Sequence, residues 1–409
     1  MLPSLTTLGV AYDKGIRGIF KVRGRWRQIN KLIIEIKMNT LNENSIVVGV
    51  DVHKYSHTAV AMNAWGRDMG KLDFTNDNLG TYTDWLNHLG IKENIVIGLE
   101  DVNSYGIHLV EKLRDESFHI RYVPAILTER ERKSSTKRQK SDLVDAKRVG
   151  KVILTKYEET LPAKESIADR RELELAKSLD LLLMERRDLT RTKTILKNQL
   201  HCLLHQHYTE SYRTICPRSF SKKAICWFLE DLKENRSILA TSIMRRLERL
   251  LFTEKQIYAI SKEITVIGET SKEAGALTTI HGCGMVTACS ILAEVITAKR
   301  FKDKHHFSMY AGIAPTPHSS GRKHKMHTNP FGNRQLNRAI HTIALGQIAI
   351  KGDPRGKEYY QRKLKEGKTK LWALRCLKHQ IAKRVFQVLR SALPVPASTG
   401  ENDAQNCLR

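Results

Sequence analysis

Ile46-Val47-Val48-Gly49-Val50-Asp51-Val52-His53-Lys54 is the stretch that decides the fold. Five strand-forming, mostly apolar residues run straight into a carboxylate. A charge at the end of a buried strand costs free energy unless a basic partner or a metal ion compensates it. Asp51 is therefore the first candidate for a metal-binding carboxylate.

Working outward, Thr58–Ala64 and Gly70–Phe74 read as two further strands, with Trp65-Gly66 turning between them. This spacing predicts a meander. Asn78–Leu89 reads as a helix. Asn94–Leu99 is a second buried strand, and it too runs into acid, Glu100-Asp101. Alternation sends those two side chains to opposite faces, so only one can join Asp51. Glu100 is the choice and Asp101 its rival. Ser104–Glu116 reads as a helix and His119–Val123 as a strand closed by Pro124. Three antiparallel strands followed by alternating helix and strand is the order of the ribonuclease-H-like α/β fold. Arg130–Lys140 reads as a basic loop that touches phosphate. Ser141 or Asp142 caps the helix that follows, and Asp142 and Asp145, three apart, project from one face of it.

The whole chain is basic. It has 409 residues, with 69 Lys and Arg against 43 Asp and Glu, a net charge of +26. Such a field recruits polyanions. The length implies two or three domains. No apolar run approaches the roughly 20 residues needed to span a bilayer, and no signal peptide is visible. Seven cysteines without a CxxC pair read as reduced thiols, which points to the cytoplasm, close to the nucleoid. Residues 1–37 carry eight Lys or Arg against two acids and no periodicity; they read as a basic arm or as an extension ahead of a natural start at Met38. The organisation expected is a basic extension (1–43), an acidic-site α/β domain (44–160), coiled-coil and linker helices (161–270), a mostly helical C-terminal domain (271–392) and a polar tail (393–409).

Leu175, Leu182, Leu189, Leu196 and Leu203 recur every seven residues, with Leu179 and Leu200 in the alternate seam position and Arg186 and Lys193 interrupting it. Ile243, Leu250, Ile257 and Ile264 form a second series. Two long helices around a looser segment (207–236) predict an antiparallel coiled coil. The glycine-bearing turn at Gly282 and Gly284 leads into an apolar-faced helix, like a helix-hairpin-helix turn that receives a phosphate backbone. Residues 304–352 contain no Asp or Glu and seven Lys or Arg, the mark of a segment that lies against a polyanion.

Asp51, Glu100, Asp142 and Asp145 form the acidic set. Gathered at one point they repel, and a divalent cation relieves that; hard oxygen donors suit Mg²⁺. Taken singly, each also reads as an ordinary strand-end or helix N-terminal acid. His53 reads as a neighbour of these acids rather than a ligand. Ser320, in Ser319-Ser320-Gly321, stands among Arg322, Lys323, Arg334 and Arg338. Those cations could stabilise charge on an attacked phosphate, and the chemistry leaves nucleophile and plain turn open. Tyr310 is a rival nucleophile that reads as a packed helix end. His201, Cys202, His205 and His207 have possible zinc spacing but read as a polar helix face.

Taken together, Val48-Gly49-Val50-Asp51-Val52-His53-Lys54, the Glu100 strand, Lys140-Ser141-Asp142-Leu143-Val144-Asp145-Ala146, Ile280-His281-Gly282-Cys283-Gly284, Tyr310-Ala311-Gly312-Ile313-Ala314-Pro315, Ser320-Gly321 and Gly332-Asn333-Arg334-Gln335-Leu336-Asn337-Arg338 resemble the DEDD-type transposases of insertion-sequence family one-ten, which include the Piv-type invertases. The resemblance covers about residues 44–392. It implies a RuvC-like N-terminal domain whose four acids hold Mg²⁺, and a C-terminal domain whose nucleophilic serine maps onto Ser320. It implies single-strand cuts through a 5′-phosphoserine link, strand exchange through a junction, composite sites in a tetramer, and a bridge RNA that guides target and donor DNA. Asn333 and Arg338 would position phosphate and the serine loop, and Gly282 and Gly284 would admit backbone. Residues 1–37 lie outside the family pattern, and Asn329-Pro330-Phe331 is less basic and glycine-rich than the family's run there. The rival activities are a metal-only, junction-resolvase-like nuclease, a site-specific invertase and a non-enzymatic nucleic-acid scaffold.

Overall fold

The computed structural model describes residues 41–100, 105–134, 141–163, 170–217, 219–320, 323–329 and 332–392. Asp101, Arg322, the basic extension through residue 40 and the tail from 393 lie outside them. The chain divides into two compact units, Met1–Ser166 and Ile167–Arg409.

The first unit is a six-stranded mixed sheet. Its strands are β1 (Ile46–Val52), β2 (His57–Asn63), β3 (Asp68–Phe74), β4 (Ile95–Leu99), β5 (His119–Tyr122) and β6 (Leu161–Pro162), in the order β3-β2-β1-β4-β5-β6. Strand β2 runs antiparallel to β1 and β3, while β1, β4 and β5 are mutually parallel and β6 closes the edge antiparallel. This is the ribonuclease-H-like order expected from the sequence, plus the short β6, which carries no strand signal of its own.

Strand β1 is buried on both faces, so it reads as an apolar run rather than an alternation. Ile46, Val48 and Val50 enter the core built with α1 (Leu79–Leu89) and α2 (Ile107–Asp115). Val47 enters a second core with Val149, Val152 and Ile153 of α4 (Asp142–Lys156). Asp51 has the parity of Val47 and Gly49, which puts it on the α4 side. Glu100 follows Val96 and Gly98 in the same way: Val96 packs in the α4 core and Gly98 against Ile153 and Val149. Between β5 and α4 lies α3 (Ala125–Ser134). The phosphate loop expected at Arg130–Lys140 is therefore helical as far as Ser134; α3 has two buried residues and little periodicity, which hid it.

The second unit is mostly helical. Helices α5 (Arg170–Tyr208) and α8 (Ile238–Glu269) pair along their length. They run antiparallel: Arg186 Nε donates to Ser261 Oγ at 2.8 Å, Lys193 meets Glu254 at 2.9 Å, and Arg246 Nε donates to Gln199 Oε1 at 3.2 Å. The residues that interrupt the leucine repeat are thus paired across the seam. On α5 the buried row is Leu173, Ala176, Leu179, Leu183, Leu196, Leu200 and Leu204, so four of the five seven-spaced leucines flank the seam and Leu196 alone is in it. On α8 the expected Ile243, Leu250 and Ile264 are buried. The looser segment contains α6 (Tyr212–Ile215) and α7 (Lys222–Asp231), whose Tyr212, Ile225 and Phe228 close a core over the end of the pair.

Helices α9 (Lys272–Thr278), α10 (Met285–Val295), α11 (Lys304–Tyr310), α12 (Arg334–Ile348), α13 (Pro354–Lys365) and α14 (Lys370–Ala392) complete the unit, with a hairpin of β7 (Pro315–Ser320) and β8 (Lys323–Thr328) between α11 and α12. Among the described residues no helix is long and apolar enough to cross a membrane.

Candidate functional site

The acidic site is made by a close approach of helix to strand. A Cβ placed on Gly49 would lie 2.0 Å from the Ala146 carbonyl oxygen and 2.4 Å from the Gly150 nitrogen. Only glycine lets α4 sit so near β1. Ser141 starts α4 as its N-cap, accepting from Val144 N, so Asp142 and Asp145 occupy the first turn. The first turn then projects both acids toward the end of β1.

There, His53 Nε2 lies 3.1 Å from Asp51 Oδ2 and 3.5 Å from Asp142 Oδ1. One ligand atom from each of Asp51, His53 and Asp142 falls within 4.8 Å of the others. The loop after β1 is itself tied down. Buried His57 faces Asn76 Oδ1 through Nε2 at 2.9 Å, which leaves its Nδ1 to accept from the His53 backbone N–H. Asp145 differs from its neighbours in having an internal cation, an ion pair with the buried side chain of Arg148.

The electrostatics match the geometry. Burial pushes the Asp51 carboxyl up; His53 opposes this, and Asp145 and Asp142 add to it. Burial also raises Glu100, with Asp51 and Asp145 contributing, while Thr128 and Arg132 on α3 offset part of the rise. Asp51 thus feels Asp145 and Asp142, and Glu100 feels Asp51 and Asp145, while among the described residues only Asp51, His53 and Asp142 bring ligand atoms close enough to share one ion. Asp51 and Glu100, held above their usual range first by burial and then by neighbouring acids, are carboxylates of the kind a hard divalent cation stabilises. The oxygen-rich donor set fits Mg²⁺, with Asp51, Asp142 and His53 in the one group able to share an ion among the described residues. The sequence reading kept His53 out of the ligand set and missed Arg148, Thr128 and Arg132; position two residues after Asp51 was the one available signal for His53.

In the second unit, Ser320 is the last residue of β7 and pairs with Lys323 across the two-residue link. Only the backbone of this hairpin tip is described, and Arg322 lies outside it. Asn333 caps α12: its Oδ1 accepts from Leu336 N at 2.8 Å, and its Nδ2 donates to Glu294 Oε2 at 2.6 Å and to Tyr310 Oη at 3.2 Å. Its side chain is therefore spent on the fold, holding the start of the helix that carries Arg334 and Arg338. Tyr310 is packed against Phe301, with Arg300 over its ring. Gly282 has φ +87°, and a Cβ on it would lie 2.9 Å from the Ile343 carbonyl oxygen of α12. The backbone it admits is that of α12, with Gln347 Nε2 donating to His281 O at 3.1 Å. Gly284, the N-cap of α10, has open space around it.

Two family models match this chain. A DEDD transposase model covers residues 48–209, and the model described as "Transposase IS116/IS110/IS902 family" covers residues 274–361. The first holds all four acids and the second holds Ser320. Among curated proteins, the chain is 34% identical over 142 residues to the insertion element IS110 uncharacterized 43.6 kDa protein of Streptomyces coelicolor, covering 34% of this chain and 35% of that one. It is 27% identical over 128 residues to the pilin gene-inverting protein of Moraxella bovis, covering 31% and 39%. It is 26% identical over 150 residues to the transposase for insertion sequence element IS1111A of Coxiella burnetii, covering 35% and 38%. The matched segments span under two fifths of each relative.

Proposed function

This chain belongs to the IS110/IS116/IS902 family of transposases, and from that premise we propose that it cuts and rejoins DNA at the ends of its own insertion sequence through a serine-linked intermediate. The observation that supports the reading is the grouping of Asp51, His53 and Asp142, with Asp145 acting on Asp51 and on Glu100, in a chain of net charge +26. Such a site suits a phosphodiester only when a cation is shared between them. Mg²⁺ held by these carboxylates would supply positive charge at the phosphate oxygens.

The remaining chemistry belongs to the second unit. Ser320 Oγ attacks the phosphorus. An Oγ–P bond forms as the P–O3′ bond breaks, and the proton given up by Oγ is balanced by one taken up at the departing O3′, leaving a 5′-phosphoserine and a 3′-hydroxyl. Arg322 and Lys323, the cations that follow Ser320 in sequence, would offset the charge that develops on the phosphate. Attack by another strand's 3′-hydroxyl reverses the step and restores the serine. The acidic unit of one subunit works with the serine unit of another in a tetramer, and a bridge RNA selects the DNA. The basic field of the chain supports nucleic-acid partners of both kinds. The likeness to a pilin gene-inverting protein favours a second outcome of the same chemistry, inversion of a DNA segment.

The test mixes the purified full chain with Mg²⁺, a duplex copied from its own element's end and the transcript of that end, then denatures the mixture. A protein–DNA band is expected in wild type and in Tyr310→Phe, and its loss in Ser320→Ala and Asp51→Ala. Nicked DNA with no covalent band would mean that water is the nucleophile and would overturn the serine reading.

A further inference from the structure

A cleft of about 400 Å³ lies between α12 and α14, at the root of the serine hairpin. Gly312 and Ile313, just before β7, and Asn329 and Gly332, just after β8, form one wall. Arg334, Arg338 and His341 enter from α12, and Arg375 and Lys378 from α14. Among the described residues no carboxylate lines it. Asn337 fixes the geometry: its Nδ2 donates to the carbonyls of Ala311 at 2.9 Å and Gly312 at 3.2 Å, and its Oδ1 accepts from Lys378 Nζ. The Asn333 cap points the N-terminal end of α12 into the same region, which adds partial positive charge.

We propose that this cleft binds one DNA phosphodiester several linkages away from the one that Ser320 attacks, and so sets the register of the strand. The proposal rests on Ser320 as nucleophile. Strand β7 takes five residue steps from Pro315 to Ser320, or about 17 Å at roughly 3.3 Å per residue. A phosphate at the hairpin root is therefore separate from one at its tip. With about 3.4 Å of duplex axis per phosphate on one strand, the spacing is on the order of five linkages.

Two of these side chains are held below their ordinary range, first by burial. Burial lowers the Lys378 ammonium to about 8, with Arg375 adding to the shift. His341 is lowered by burial and by Lys378. A bound phosphate would reverse both effects. Arg375 and Lys378 are binding residues that lie outside the acid-free stretch, on a helix the sequence reading left without a role.

The experiment has two arms on the full chain. In the first, duplex DNA binding is measured against salt for wild type, for Arg375→Gln/Lys378→Gln, and for the charge-preserving Arg375→Lys/Lys378→Arg. The neutral pair should lower the slope of log K against log salt by about 0.9 for the lost contact, and the charged pair should keep it. An unchanged slope in the neutral pair, or a change seen with the element's RNA transcript and absent with duplex DNA, overturns the proposal. In the second arm, methylphosphonate replaces one linkage at a time and adduct yield is read. Wild type should lose adduct at the scissile linkage and again about five linkages away, with the second minimum absent in the neutral pair. A second minimum that persists in the neutral pair overturns the proposal, as does a profile with the scissile minimum alone. If wild type forms no adduct, the serine reading fails, and the salt arm still decides the cleft.

Discussion

Replacing Gly49 with alanine should open the acidic site without touching an acid. The added Cβ would meet Ala146 O at 2.0 Å and Gly150 N at 2.4 Å. Both are backbone atoms of α4, so no side chain can rotate away. The helix must withdraw from β1 by about 1.4 Å, the gap between 2.0 Å and an ordinary 3.4 Å contact. Overpacking of this kind costs about 3 kcal/mol, the upper part of its usual range. That corresponds to a fall of roughly 10 °C in the melting of the first unit. Because α4 carries Asp142 and Asp145, their carboxylates retreat from Asp51, and a misplacement near 1 Å costs on the order of 100-fold in rate. Gly98→Ala offers a graded comparison, since its nearest obstacle at 2.3 Å is the Cδ1 tip of Ile153, and Gly80→Ala on α1 meets nothing within 4 Å. Hydrogen exchange of β1 and α4 amides reads the local loosening, and melting with and without Mg²⁺ reads the site. The expected order of damage is Gly49, then Gly98, with Gly80→Ala neutral or slightly stabilising. Wild-type exchange in β1 and α4 of Gly49→Ala, together with an undiminished response to Mg²⁺, would refute the claim that this contact sets the acids.

Three further outcomes follow from the same geometry. Asp51→Asn removes a half-buried charge that Asp142 and Asp145 oppose, so metal-free protein should gain stability, on the order of 1 kcal/mol, while losing its stabilisation by Mg²⁺; melts with and without chelator check both, and a less stable metal-free variant counts against repulsion at this site. Asn333→Ala should cost about 1 kcal/mol through the lost cap, and Asn333→Asp should fare no better although aspartate caps equally well, because it sets a carboxylate beside Glu294 Oε2; denaturant titration compares them, and a stable Asn333→Asp argues against that contact. Lys378, facing Arg375, Arg338, Arg334 and His341, has its folded value near 8, below its ordinary 10.5, so it burdens the folded state below pH 8 and that burden lifts as pH rises toward 10.5. DNA affinity should run the opposite way, weakening as pH passes through 8, and Lys378→Arg should abolish that dependence.

The fold of the first unit was legible because its strands are short apolar runs bounded by turns; parity showed that only one of Glu100 and Asp101 could share a face with Asp51, and the packing of Val47 and Val96 against α4 gives that face to Glu100. The seam of the helix pair was less so. Leucines stand side by side at 182–183 and 203–204, so a seven-residue repeat can be drawn through either row. The choice between rows is made by the partner helix, through pairs such as Arg186 with Ser261, which a single helix's periodicity does not contain. Gly282 carried a correct signal of close backbone approach with the wrong partner: a positive-φ glycine announces that something lies against it, and here that is α12. Arg375 and Lys378 carried no local signal at all, since they join Arg334 and Arg338 through tertiary packing across some forty residues of chain.

The two units present opposite electrostatic deficits, and that pairing constrains the substrate. In the first, Asp51 and Glu100 are held above their ordinary range by burial and by neighbouring acids, with a cation wanting. In the second, Lys378 and His341 are held below theirs by burial and by neighbouring cations, with an anion wanting. A free anion would satisfy the second unit alone and a free divalent cation the first alone. On the proposed function, a nucleic-acid strand bearing Mg²⁺ would satisfy both, its phosphates supplying the anion and its metal the cation. On this account, metal and DNA should bind with positive coupling: Mg²⁺ should tighten DNA binding in wild type, and Asp51→Asn should remove the tightening while leaving the metal-free affinity in place. If Mg²⁺ and DNA bind independently in wild type, the two deficits are unrelated features of two domains, and the shared-substrate argument fails.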